Sequence, residues 1–384
     1  MSQCFSRRNL LSAAGAALFT PVRWARAQTA SSAPVALARC DSYDRAVLLP
    51  QLNRMFDQLG GLGRIVKGKT VAIKVNLTGT ANSRLGYLPI EDTTWTHPAV
   101  IGATISLLGR AGARRIRVLE SPWKSAEPLE EYMLDAGWEP RDLLNAASNV
   151  EFENTNFLGR GKKYARIPVP NGGHMFKSFD LNHSYDECDV FVSIAKLKEH
   201  LTAGVTLTIK NCFGITPCTI YGDGAPEDEP GLIPKGGRMP LHNGNRQPAR
   251  SAVPENDPNS PRQGGYRIPR IIADLVAARP VHLGIVDGIR SMTSGETARQ
   301  TNTAVSPGVL SAGTNCVCTD AVGTAVMGFD PMAMRGTKPF ETCDSTLMLA
   351  EQHGVGTRDL ARIEVIGASI AEVRFDYRSA AKRA

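Results

Sequence analysis

The feature that most constrains this 384-residue chain is a strand, helix, strand succession between residues 70 and 121. "TVAIKVN" (70–76) is a β-branched apolar run. "HPAVIGATISLLGRAGA" has helical periodicity, with Pro98 in its first turn and Gly112 at its end, and "RRIRVLES" is a second strand. A βαβ unit returns the chain to the same sheet edge and so commits it to parallel pairing. The alternation continues through "CDVFVSIAKLK" (188–198), the helical "IPRIIADLVAA", "PVHLGIVDG" (280–288), helical segments at 320–329 and 345–352, and a last strand "ARIEVIGA". The pattern predicts an α/β fold, a mainly parallel sheet with flanking helices, in one domain over residues 28–384. Residues 219–267 turn to Gly, Pro, Asn and charge. A loop of that length is either a mobile insertion or a lid over a site.

Residues 1–27 read as a twin-arginine export signal: Arg7-Arg8, a modest alanine-rich apolar run, then Ala25-Arg26-Ala27 as a cleavage site. The run is too short to span a bilayer, so no stable span is expected in the mature chain. The expected location is periplasmic or otherwise exported. That route carries proteins already folded, which favours a cofactor inserted in the cytoplasm. The formal charge of +7 belongs partly to this leader. Its four arginines, with no acid beside them, leave 40 basic against 37 acidic residues in the mature chain, a balance that speaks against a nucleic-acid partner. Seven cysteines remain after Cys4 is removed, without a C-x-x-C or a ferredoxin-type run. Buried thiols or a disulfide are expected for most of them.

Ligands of open parallel sheets bind beyond the carboxyl ends of the strands. Here those ends carry Asn76, Glu120-Ser121, Lys196 with Lys198 and His200, and Asp287. In "SIAKLKEHLTAGVTLTIKNCFG" an extended chain would set Lys196, Lys198 and His200 on one face. A helical continuation would group Thr202, Thr206 and Lys210. Such a face suits a carboxylate or phosphate, unless the lysines simply face water on an edge strand. His97 precedes a helix start, where capping and ligand contact are both open. Asp287 reads as a site residue or a turn residue, and Asp320 as an N-cap. His174 and His183 belong to no motif.

"VAIKVNLTG", "THPAVIGATISLLGRAGARRIRVLES", "SIAKLKEHLTAGVTLTIKNCFGITP" and "GIVDGIRSM…GE" together resemble the blocks of the prokaryotic family DUF362, over about residues 71–331. The resemblance implies site roles for Asn76, His97, Lys196, Lys198, His200, Lys210, Asn211 and Asp287. Many relatives carry iron–sulfur cysteines; this chain lacks that run. Three functions follow as expectations. One is an exported protein holding a metal or redox cofactor or an anionic ligand, associated with oxidoreduction and a redox partner, with Cys212 as a metal ligand. Another is a non-redox enzyme using Lys210 or His200 as acid or base on a carboxylate or phosphate substrate. The third is a module that binds a small anion without turnover.

Overall fold

The computed structural model describes residues 31–381 except Lys124, Arg160, Lys162 and Gln300; the leader assigned to residues 1–27 lies outside the described residues. Eight strands make one sheet: β1 (Val35–Arg39), β2 (Thr70–Lys74), β3 (Arg115–Glu120), β4 (Val150–Asn154), β5 (Val190–Lys196), β6 (Leu283–Gly288), β7 (Val309–Gly313) and β8 (Val365–Gly367). Their spatial order is β8-β1-β7-β6-β5-β2-β3-β4. All neighbours are parallel except β7, which runs antiparallel to both β1 and β6. The protein is thus an α/β fold, with a large and mostly parallel sheet between helices.

Two helices cover one face, α1 (Arg45–Gln58) and α2 (Pro98–Arg110). The other face carries α3 (Leu207–Asn211), α4 (Gly264–Ala278), α5 (Cys316–Val326) and α6 (Thr346–Gln352). Strand residues alternate between the two: Val71 and Ile73, with Val190, Val192 and Ile194, join α1 and α2, whereas Ala72 and Phe191 pack with Ile209, Ile268 and Ile272. Because both faces are covered, β2, β5 and β6 are buried along their whole length. The start of α2 is set by His97, whose Nδ1 accepts the Ala99 N–H at 3.1 Å, and by Pro98 at the first helical position.

Residues 219–267 pack onto the domain. Arg267 forms a buried pair with Glu255 and donates to the Leu241 carbonyl, while the Val253 N–H donates to Asp180. The short helix Met239–Asn243 lies inside this segment and brings its residues to the sheet edge where β2 and β3 end. Among the described residues no helix is long and apolar enough to cross a membrane.

Candidate functional site

At that edge lies a cavity of about 430 Å³. Its floor is a buried polar network. Lys74, the last residue of β2, holds Glu120, the last of β3, at 2.7 Å, and also donates to the Val75 carbonyl and to Asn211 Oδ1 at 3.2 Å. Glu120 in turn accepts the Leu77 and Ser121 N–H groups. Burial pushes the Lys74 pKa down and Glu120 pulls it back, as expected of a charge whose desolvation is met by one close partner. Asn211 spends its amide on Lys74 O, Ser193 Oγ and Ile194 O, which ties the end of α3 to β2 and β5. A Cβ at Gly214 would sit 2.8 Å from Lys74 Nζ and 3.0 Å from Glu120 Oε1, so a larger residue there would push the pair aside. Asn76 donates to Thr78 and Asn211, and its Oδ1 is buried without a partner.

Lys210 stands over this floor. The N-terminal amides of its helix are capped from another element, since Asp320 accepts the Thr208 and Ile209 N–H groups at 2.9 and 2.8 Å and the Thr208 hydroxyl at 2.5 Å. Asp320 lies inside α5, whose own cap is Asn315, so its expected N-cap role is corrected: it caps α3 instead of α5. The Lys210 amine lies 4.6 Å from the centroid of the Phe213 ring and makes no hydrogen bond or ion pair among the described residues. Burial lowers its pKa to about 7; Glu296 opposes the shift and Arg238 adds to it.

Four more groups surround the amine. Arg238 donates to the Thr216 and Ser121 carbonyls at 2.7 and 2.9 Å, and its guanidinium flanks the same Phe213 ring at 5.8 Å. His242 is pushed down to about 4 by burial, and His200 well below its ordinary value by burial and then by Lys210. Both rings are therefore neutral at pH 7. Burial acts to raise the Glu296 pKa, yet His200, the Leu201 N–H at 3.2 Å and Lys210 outweigh it and hold the carboxyl at about 2. With His200 uncharged at pH 7, the Leu201 N–H, the Arg299 guanidinium at 3.7 Å and the partly protonated Lys210 remain as partners.

Of the residues expected from sequence, Asn76, His200, Lys210 and Asn211 line the cavity. Lys198 is fully buried and donates to the carbonyls of Thr94 and Glu296, so it braces the segment that carries Glu296. Lys196, His97 and Asp287 meet elsewhere. Lys196 Nζ pairs with Asp287 Oδ2 at 2.9 Å, the His97 N–H donates to the same oxygen, and Tyr43 donates to Asp287 Oδ1 while stacking on His97 at 3.6 Å. This cluster does not line the cavity. The common face expected for Lys196, Lys198 and His200 is thus not formed, because the strand ends at Lys196 and the chain bends into the short pairing of Glu199–His200 with Gly204–Val205. Nor do the lysines face water on an edge strand, since β5 is central.

Cys212 points into the core, donates to the Thr208 carbonyl at 3.4 Å, and has a thiol pushed up to about 12 by burial. Arg238 comes from the 219–267 segment, outside every motif, while Glu296 closes the block "GIVDGIRSM…GE", in which only Asp287 was expected to be a site residue. All seven described cysteines are buried. The only described group of three His, Cys, Asp or Glu donors within ligation distance contains no cysteine. That donor set does not fit an iron–sulfur cluster.

A model of a family described as a domain of unknown function, DUF362, matches residues 71–325. The chain belongs to the DUF362 family. This DUF362 protein is 31% identical over 187 residues to a thylakoid-associated protein of Synechocystis sp., covering 48% of this chain and 50% of that one. It thus spans about half the length of the curated relative it matches. Among solved structures, the lactate racemase apoprotein of Thermoanaerobacterium thermosaccharolyticum shares 12% identity at a TM-score of 0.35, over 72% of this chain and 55% of that one. A protein of Thermotoga maritima shares 12% at 0.34, over 70% and 56%.

Proposed function

We propose that this DUF362 protein binds and acts on a small molecule bearing a carboxylate or phosphate, with Lys210 as the group that takes up and returns a proton. The observation that carries the reading is the unpartnered Lys210 amine, held near pKa 7 inside a cavity. A general base works best when its pKa lies near the working pH. The other lysines of the motif are committed, Lys74 to Glu120, Lys196 to Asp287 and Lys198 to backbone carbonyls. Arg238 is therefore the permanent cation that would hold the acidic group. The orphaned Asn76 Oδ1 would accept an N–H or O–H of the ligand.

Competitive acetylation with trace acetic anhydride between pH 5 and 11, read by mass spectrometry, gives the Lys210 titration directly. An inflection near 7 is expected, whereas one near 10.5 removes the base. In parallel, carboxylates and sugar phosphates are screened by thermal shift, and the responses are expected to vanish in Lys210→Met.

The redox alternative has weaker support here, because among the described residues no three His, Cys, Asp or Glu donors of the cavity lie within ligation distance of one another. Export by the twin-arginine route remains our reading of Arg7-Arg8 and the segment after them. A reporter fused to residues 1–30 should leave the cytoplasm, and Arg7→Lys with Arg8→Lys should retain it; export of both forms alike would refute the assignment.

A further inference from the structure

A second cluster of ionisable groups lies apart from the cavity, where the turn before the strand Ser178–Leu181 meets α4 and α6. Asp274 of α4 is fully buried. Its Oδ1 accepts the His174 backbone N–H at 2.6 Å and His353 Nε2 at 2.8 Å, and its Oδ2 accepts the Met175 and Phe176 N–H groups at 2.7 and 3.1 Å. The turn wraps closely on the carboxylate: Gly173 has φ +67°, and a Cβ there would fall 3.0 Å from Asp274 Oδ2. His353, the C-cap of α6, lays its ring 4.3 Å from that of His174. One ligand atom from each of the three residues falls within 4.8 Å of the others.

Capping a turn explains the carboxylate but not the two imidazoles. His174 Nε2 is buried with no hydrogen-bond partner, a state that leaves its desolvation uncompensated. Two imidazoles and one carboxylate are a donor set for zinc-class divalent ions. The backbone N–H groups on Asp274 orient its oxygens as outer-shell partners do in metal sites.

We propose that His174, Asp274 and His353 bind one divalent transition-metal ion of the zinc class, at a site separate from the Lys210 cavity. The ion takes the place of the proton shared between His353 Nε2 and Asp274 Oδ1, and that proton moves to His353 Nδ1. His174 enters as the free base, so its ring loses no proton. Bound there, the ion would join a turn and two helices that are 100 and 79 residues apart in sequence.

The test uses the mature chain, stripped with chelator and dialysed. Zn²⁺ is titrated by calorimetry and Co²⁺ by its visible absorption. One ion per chain is expected, with binding weakened at least about tenfold in His174→Gln and in His353→Gln, and unchanged in His183→Gln. Absence of stoichiometric binding, or equal binding by both site variants and the parent, overturns the proposal. Should the variants misfold, footprinting of the unaltered protein with diethylpyrocarbonate decides: Zn²⁺ is expected to protect His174 and His353, and failure to protect them refutes the site.

Discussion

Lys74 and Lys210 are two lysines on the same cavity, and they differ in one respect: Lys74 has a carboxylate 2.7 Å away and Lys210 has none. Removing one partner of a buried pair strands the other, so Lys74→Met should cost about 3–5 kcal/mol in urea denaturation. Adding Glu120→Gln to that variant should recover part of the loss. For Lys210 the sign reverses. Its amine is neutral in the folded chain above about 7, while the unfolded chain keeps it protonated up to 10.5, so the unfolded state binds more protons in that window. Stability contributed by this group therefore rises with pH from 7 to 10.5. Lys210→Met should be more stable than the parent at pH 6, by up to about 5 kcal/mol, and the gap should close toward pH 10; a constant gap would contradict the titration. The lysine block itself was legible, because lysines inside an apolar run require partners. Which lysine stays free was not, since Glu120, Asp287, Thr94 and Glu296 are supplied from distant segments.

Among the elements, α2 was readable from its ends, His97 and Pro98 at one and Gly112, at φ +89°, at the other. For α5 the start read from sequence at Asp320 was displaced. The helix begins at Cys316, where Asn315 accepts the Cys318 N–H, and this frees Asp320 to cap α3. Asp320→Asn keeps the shape but loses an acceptor, and should cost about 1–2 kcal/mol while weakening ligand binding through displacement of Lys210. Thermal denaturation and ligand titration of the one variant check both effects; loss of stability with unchanged binding would separate the cap from the site. Strands β1 and β7 escaped the sequence reading because "VALAR" and "VLSAG" carry small residues and no clear alternation, and β4 because "VEFEN", though alternating, is only five residues long and mostly charged or polar. The insertion read as either lid or mobile segment forms a wall of the cavity through Arg238 and His242. Its outer part is pinched at the base by Asp223 N–H to Gly237 O and Gly224 N–H to Lys235 O. Replacing residues 226–233 by two glycines should therefore leave ligand binding unchanged, and binding lost with that loop would show that it closes over the site.

Over the whole molecule, the α/β class followed from alternation alone, whereas the order of strands did not, because periodicity carries no information on which strands are neighbours. The position of β5 and β6 at the middle of the sheet predicts the slowest amide exchange there, with β4 and β8 at the margins exchanging first. Equal protection of β8 and β5 would contradict this layering. The reversed strand β7 has a consequence for synthesis. Among the described strands β1 leaves the ribosome first, yet its partners are β7 and β8, the last two to be made. It must wait, unpaired, while the parallel block from β2 to β6 assembles. A nascent chain stalled before residue 309 would carry β1 as a loose apolar strand, open to capture by a chaperone or by a second nascent chain.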